Sequence, residues 1–246
     1  MMITNGELVR AAQDIARSRA AHRALMMIVP YACVLVGLDV AAYYGEVTDA
    51  HLPVQFFMSE DHSFGEYLEY AMTGCAALFM TLCWLRSRAA VYLANAILFV
   101  WLTLDNAVEV HEMFGLAVAP ALPVPQWLPL QANHLAELLF FGAVGAVWMA
   151  GMISAQLRSE RREVAYGLLI AACIAGTAVF GVFVDLVTSL GQHTPAWLNI
   201  LAFLEDEGEF AMIMVTFAVC VGIFDVERRR AAHAAARPER LRPAAA

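Results

Sequence analysis

Apolar residues fall into six long runs along the chain, at about 26–45, 65–85, 89–110, 135–156, 164–188 and 208–225. Each run is close to the roughly 20 residues a helix needs to cross a bilayer core. The pattern predicts an all-α fold, a polytopic bundle of six transmembrane helices. The first run follows a polar arm and has no small-x-small cleavage site behind it, so it reads as a retained span and not a signal peptide. Residues 7–22 predict a short interfacial helix, with Leu8, Ala11, Ala12 and Ile15 as a weak apolar stripe. The organisation expected is an N-terminal cytoplasmic or interfacial arm at 1–25, a membrane domain at 26–225 and a basic, disordered tail at 226–246.

Composition agrees with this pattern. Of 246 residues 61% are hydrophobic and 15% charged, against roughly 25% charged in a soluble domain. Charge placement then adds an orientation. All 15 basic residues are arginines. They lie in the N-terminal arm, at Arg86 and Arg88, at Arg158, Arg161 and Arg162, and after the sixth run. Those are alternate connections. The positive-inside rule therefore places both termini in the cytoplasm and the connections at about 46–64, 111–134 and 189–207 on the periplasmic or outer side. The setting expected is a bacterial inner membrane. Formal charge is about +8 on the arginine side and −16 on the other. The basic side has a sufficient topological cause, so it is no sign of nucleic-acid binding; the expected partners are the lipid bilayer and either a membrane protein or a second copy. Residues 113–136 carry no charge but include Pro120, Pro123, Pro125 and Pro129 around Trp127. That stretch is expected along the membrane interface or over the bundle mouth, with Trp127 at headgroup depth.

The acids outside the arginine side concentrate in the outer halves of the runs. Ionisable groups are costly in lipid and face the bundle interior or a water-filled cavity. In a continuous third helix, Asp105, Glu109 and Glu112 share one face at i, i+4 and i+7, and His111 points elsewhere. His62, Glu66 and Glu69 follow helical spacing in the second run, His134 and Glu137 open the fourth, and Glu205 and Glu209 open the sixth. Glu60-Asp61 and Glu205-Asp206 read as acids at helix N-termini, favoured by the helix dipole. No arginine or lysine is available to neutralise the cluster. Histidines with several carboxylates suit iron, manganese or zinc. The first ligands expected are Glu66, Asp105, Glu109, His134, Glu137 and Glu209, with His111 and Glu112 as near alternatives. Glu112 and Glu207 are the spare carboxylates expected to move protons in catalysis. Haem is disfavoured, because the carboxylates make a poor apolar pocket. No Walker motif or dinucleotide fingerprint is present, so no nucleotide is expected. The cysteines Cys33, Cys75, Cys83, Cys173 and Cys220 all fall within runs and read as packing residues.

The stretch Leu104-Asp105-Asn106-Ala107-Val108-Glu109-Val110-His111-Glu112 resembles the Leu-Asp-x5-His-Glu helix of some poorly characterised bacterial multi-pass membrane proteins. In that group a later helix opens with Leu-Glu-acid-Gly, and Leu204-Glu205-Asp206-Glu207-Gly208-Glu209-Phe210 is similar with an extra acid. The resemblance implies that Asp105, His111, Glu112 and Glu205 act together; it implies no activity. The leading expectation is an outward-facing metal site, as in a metal-dependent enzyme on a lipid or other membrane-borne substrate. The alternatives are a non-catalytic subunit of a larger complex and, third, a cation or proton transporter.

Overall fold

The computed structural model describes residues 3–125, 130–190 and 194–236. Six of its helices are long and apolar enough to cross a membrane, and they coincide with the six apolar runs. Trp127, His193 and the last ten residues lie outside the described residues.

Helix α1, Asn5–Ala16, is started by a capping box: Glu7 N–H donates to the Thr4 hydroxyl and the Glu7 carboxylate accepts from Thr4 N–H. Its buried Ala11 and Ile15 dock on the arginine-bearing parts of α7, Arg161–Ala178, and α9, Pro195–Ala236. Helix α2, Arg19–Val47, packs mainly on α9 and leaves Met26, Met27, Val34 and Val40 exposed, as a helix facing lipid does. Helices α3, Phe64–Ser87, and α4, Ala90–Val108, form a tight antiparallel pair. Arg88 turns the chain between them in the left-handed conformation that ends many helices. Next come a short α5, Val110–Val118, and the spanning α6, Ala132–Gln156. After α7 the chain continues through a π-helical turn, Val179–Val184, into α8, Asp185–Leu190.

Two expected boundaries are corrected. The third span does not run to residue 110: α4 stops at Val108, and Glu109 takes a left-handed conformation (φ 54°) before α5 starts. The sixth helix does not begin near residue 208. It begins at Pro195 and runs 42 residues, about 63 Å at 1.5 Å per residue, twice the roughly 30 Å hydrocarbon thickness. Glu205 and Asp206 thus lie about three turns inside α9 and cap nothing. The capping expected of Glu60 and Asp61 also fails, because Ser63 caps α3, its hydroxyl accepting from Glu66 N–H at 3.1 Å.

The arginine-bearing end is closed. Val91, Tyr92, Tyr166, Ile170, Cys220 and Ile223 are completely buried there. Asp225 of α9 accepts from the Ser18 hydroxyl at 2.8 Å and pairs with Arg228 and Arg229, while Arg162 pairs with Glu227. These contacts bind the start of α2, α7 and α9 into one plug. The opposite half of the bundle is hollow.

Candidate functional site

The hollow is a cavity of about 960 Å³ walled by α3, α4, α5, α6, the α7–α8 segment and α9. It runs along α6 from His134 to Met149, about 22 Å by helical rise. Its outer end is acidic: Glu66, Glu69, Glu109, Glu112, Glu137 and Glu209 all line it, with His111 and His134. Its inner end is apolar, lined by Leu98, Phe99, Trp148, Ile174 and Phe217. It ends blind against the buried plug.

The break at Glu109 organises the acidic end. In a continuous helix His111 would turn away from Asp105. The left-handed residue reverses that: His111 N–H donates to Asp105 Oδ1 at 3.0 Å, and His111 Nδ1 lies 3.2 Å from Asp105 Oδ2. The expected stripe of Asp105, Glu109 and Glu112 is therefore replaced by a buried Asp105–His111 pair with the two glutamates beside it. Asp105 is fully buried and does not line the cavity. It sits behind His111, as an orienting carboxylate sits behind a histidine ligand or base, with the proton on Nδ1 and Nε2 left free. Tyr70 supports the break from α3 by donating to Asn106 O at 2.8 Å.

Among the described residues, Asp61, Glu109 and Glu112 each place a carboxylate oxygen within 4.8 Å of the others, close enough to share one metal ion. Histidines flank the trio. His62 Nε2 is 3.8 Å from Glu109 and His111 Nε2 is 3.9 Å from Glu112. Glu109 and Glu112 were legible as candidates; Asp61 was not, because its place before a helix suggested capping. The signal that marks it is Ser63, a better cap two residues later.

Burial pulls the His111 pKa down, but its hydrogen bond to Asp105 and the charges of Asp105, Glu112 and Glu137 prevail and hold it above 6.5. Burial and the charge of Asp61 push Glu112 above 4.5, against the opposing pull of His111. In both cases the folded state holds the proton more tightly than the unfolded chain. Their contribution to stability is present at low pH and is lost as pH rises through the raised values. Metal-free protein is thus expected to melt at progressively lower temperature between about pH 5 and about pH 8. A divalent ion that takes the protons' place should flatten that slope. Thermal melts across this range, with chelator and with metal, check both parts.

The remaining candidates are placed as follows. Glu66 lines the cavity, although its carboxylate also accepts from His62 N–H. Glu137 lies against Gly115 of α5, where a Cβ would come within 2.5 Å of its Oε1. Glu209 lies against Gly181 of the π-helical turn, where a Cβ would collide with Oε2. These two glycines let α5 and the turn close on the carboxylates. A π-turn at such a position, invisible to hydropathy, is common at functional sites. His134 lines the cavity, with Nδ1 3.0 Å from the Ser189 hydroxyl.

Glu207 does not line the cavity. Its carboxylate oxygens are buried beside Asp39 of α2, which is itself buried and accepts from Met58 N–H at 2.8 Å. Two adjoining buried carboxyls destabilise one another when charged. Glu207→Gln is therefore expected to leave metal content unchanged and to leave the melting temperature equal or higher. Loss of metal in that variant would return Glu207 to the site.

Helix α6 packs on α4 and α5, whereas α7 packs on α9, α1 and α4. The two meet at their inner ends, where Met152 and Ala155 cluster with Val164, and the His134–Ser189 contact ties the outer ends. Between these ties Gly145 and Met149 of α6 and Ala171 and Ala175 of α7 all line the cavity.

A domain of unknown function, DUF8692, matches residues 62–223, well over half of the chain. The chain belongs to the DUF8692 family. No curated protein and no solved structure matches it. The DUF8692 stretch contains every cavity-lining residue except Met58 to Asp61, and leaves out α1, α2 and the end of α9. The cavity is thus built from the family domain, with Asp61 supplied just before its edge.

Proposed function

We propose that this DUF8692 protein is a membrane-embedded, metal-dependent enzyme acting on a membrane-borne substrate. The observation that carries the reading is one cavity joining a carboxylate–histidine end to an apolar interior within the bundle. Asp61, Glu109 and Glu112 hold the ion, which is iron, manganese or zinc, and His111, its ring fixed by Asp105, offers Nε2 beside Glu112 as a further donor. Bound there, such an ion polarises a substrate oxygen or activates water. A carboxylate of the acidic end that does not hold the ion then moves protons. The slight packing of α6 on α7 beside the cavity supports entry from the bilayer. The blind inner end favours binding and chemistry over passage across the membrane. The arginine distribution supports an inner-membrane orientation with both termini in the cytoplasm and the acidic mouth facing the periplasm or exterior.

The test is titration of chelator-stripped protein in mild detergent with manganese, iron(II) and zinc. One saturable site with Kd below about 10 μM is expected for at least one of them. The absence of a saturable site for all three would sink the reading.

A further inference from the structure

The two ends of the cavity restrict what can occupy it. Among the described residues the lining presents eleven carboxyls against two histidines, His111 and His134, and neither arginine nor lysine. One divalent ion at Asp61, Glu109 and Glu112 offsets only two formal negative charges. A phosphate or carboxylate head group would meet acidic side chains on every side, among them Glu66 from α3, Glu137 from α6, Asp185 from α8 and Glu209 from α9. Like charges brought together in a low-dielectric site repel strongly. A cationic head group meets the same side chains as partners.

The inner end selects hydrocarbon. Its walls are aliphatic and aromatic, and the threonines among them turn their hydroxyls to their own helices. Thr73 donates to Glu69 O at 2.8 Å, Thr177 to Cys173 O at 3.2 Å and Thr216 to Met212 O at 2.7 Å. The cavity is about 22 Å deep by helical rise, and its volume is at the upper end of pockets that hold one small ligand, roughly 300–1,000 Å³. That suits one hydrocarbon chain with a small head.

We infer that the cavity receives a single-chain amphiphile with a protonated amine or quaternary ammonium head. Its chain runs inward between Trp148 and Phe217, and its head sits among the carboxylates. This names the substrate class of the site and rests on reading the cavity as the substrate cavity.

The experiment uses the full chain in phosphatidylcholine nanodiscs, with empty discs as the partitioning control. Binding of dodecylamine, monododecyl phosphate and dodecanol is measured by calorimetry, each with chelator and with manganese. Saturable dodecylamine binding, at least about tenfold tighter than that of the phosphate, is expected in both conditions. Ala171→Phe, which adds bulk to the cavity lining from α7, should weaken the amine about tenfold and leave metal content unchanged. Phosphate binding as tight as the amine, no saturable binding by any of the three, or undiminished amine binding in a folded Ala171→Phe protein would each overturn the inference. The wild-type head-group comparison stands even where that variant fails to fold. Metal bound without amine selectivity overturns the substrate class alone; amine selectivity without any metal site overturns the metal reading alone.

Discussion

Replacing Glu109 and Glu112 together by alanine is expected to take tightly bound divalent metal from about one ion per chain to near zero, since carboxylate sites gain affinity with each ligand charge. The fold should survive, because both side chains are partly exposed, at 34% and 44%, and neither anchors a helix contact. Asp61→Ala removes the third oxygen donor and should weaken binding in the same direction, with still less effect on stability, because Asp61 is exposed. Elemental analysis of protein purified without chelator, beside a thermal melt, separates loss of the ion from loss of the fold. Full metal occupancy in the double variant would place the ion elsewhere in the cavity, with Glu66, Glu137 and Glu209 the next donors to replace.

Asp105→Ala is expected to be the most destabilising single change in the acidic half. The carboxylate is completely buried and accepts from both the backbone N–H and the ring of His111 across the break in the third span. Removing one partner of a buried charge-assisted pair costs about 3–5 kcal/mol. The loss should also release the left-handed turn at Glu109, since among the described residues no other side chain accepts from the His111 N–H. Asp105→Asn separates the two roles. The amide oxygen can still accept from the His111 N–H, so much of the stability is kept. Its NH2 group then faces Nδ1, which favours the opposite tautomer and puts the proton on Nε2. Metal affinity should fall about 10- to 100-fold, as it does when an orienting carboxylate behind a histidine is altered. Melting temperature and metal titration read the two effects independently. An Asp105→Asn protein with unchanged metal affinity would reduce the pair to a structural contact.

The membrane layout was legible because it depends on quantities that sum along the chain. Twenty apolar residues in sequence make a span whatever they touch, and the six runs and six helices agree. The acidic half was legible for the same reason: carboxylates such as Glu66, Glu137 and Glu209 recur at the start of the second, fourth and sixth runs, and the reversal of direction at each crossing gathers those starts at one end. Local geometry was harder. Glu109 in a left-handed conformation breaks the periodicity that assigned Asp105, Glu109 and Glu112 to one face, and a non-glycine residue carries no sequence mark for that state. The start of α9 at Pro195 is masked in the sequence, because the acids at 205–209 resemble the beginning of a helix. In the fold they are interior positions, tolerated because they line a cavity or lie buried beside Asp39.

Sequence by itself therefore determined the class of molecule, the number of crossings, the segregation of charge and the residue types available for chemistry. All of these follow from composition and short-range pattern. Tertiary structure alone decided that His111 turns back onto Asp105, that Asp61 joins Glu109 and Glu112, that Glu207 lies apart from them, and that the acidic end opens into an apolar cavity. Each of these depends on one reversed dihedral or one distance between residues far apart in the chain. Hydrophobic burial is non-directional and can be read from a list of residues, whereas a hydrogen bond or a coordination sphere requires positions in space.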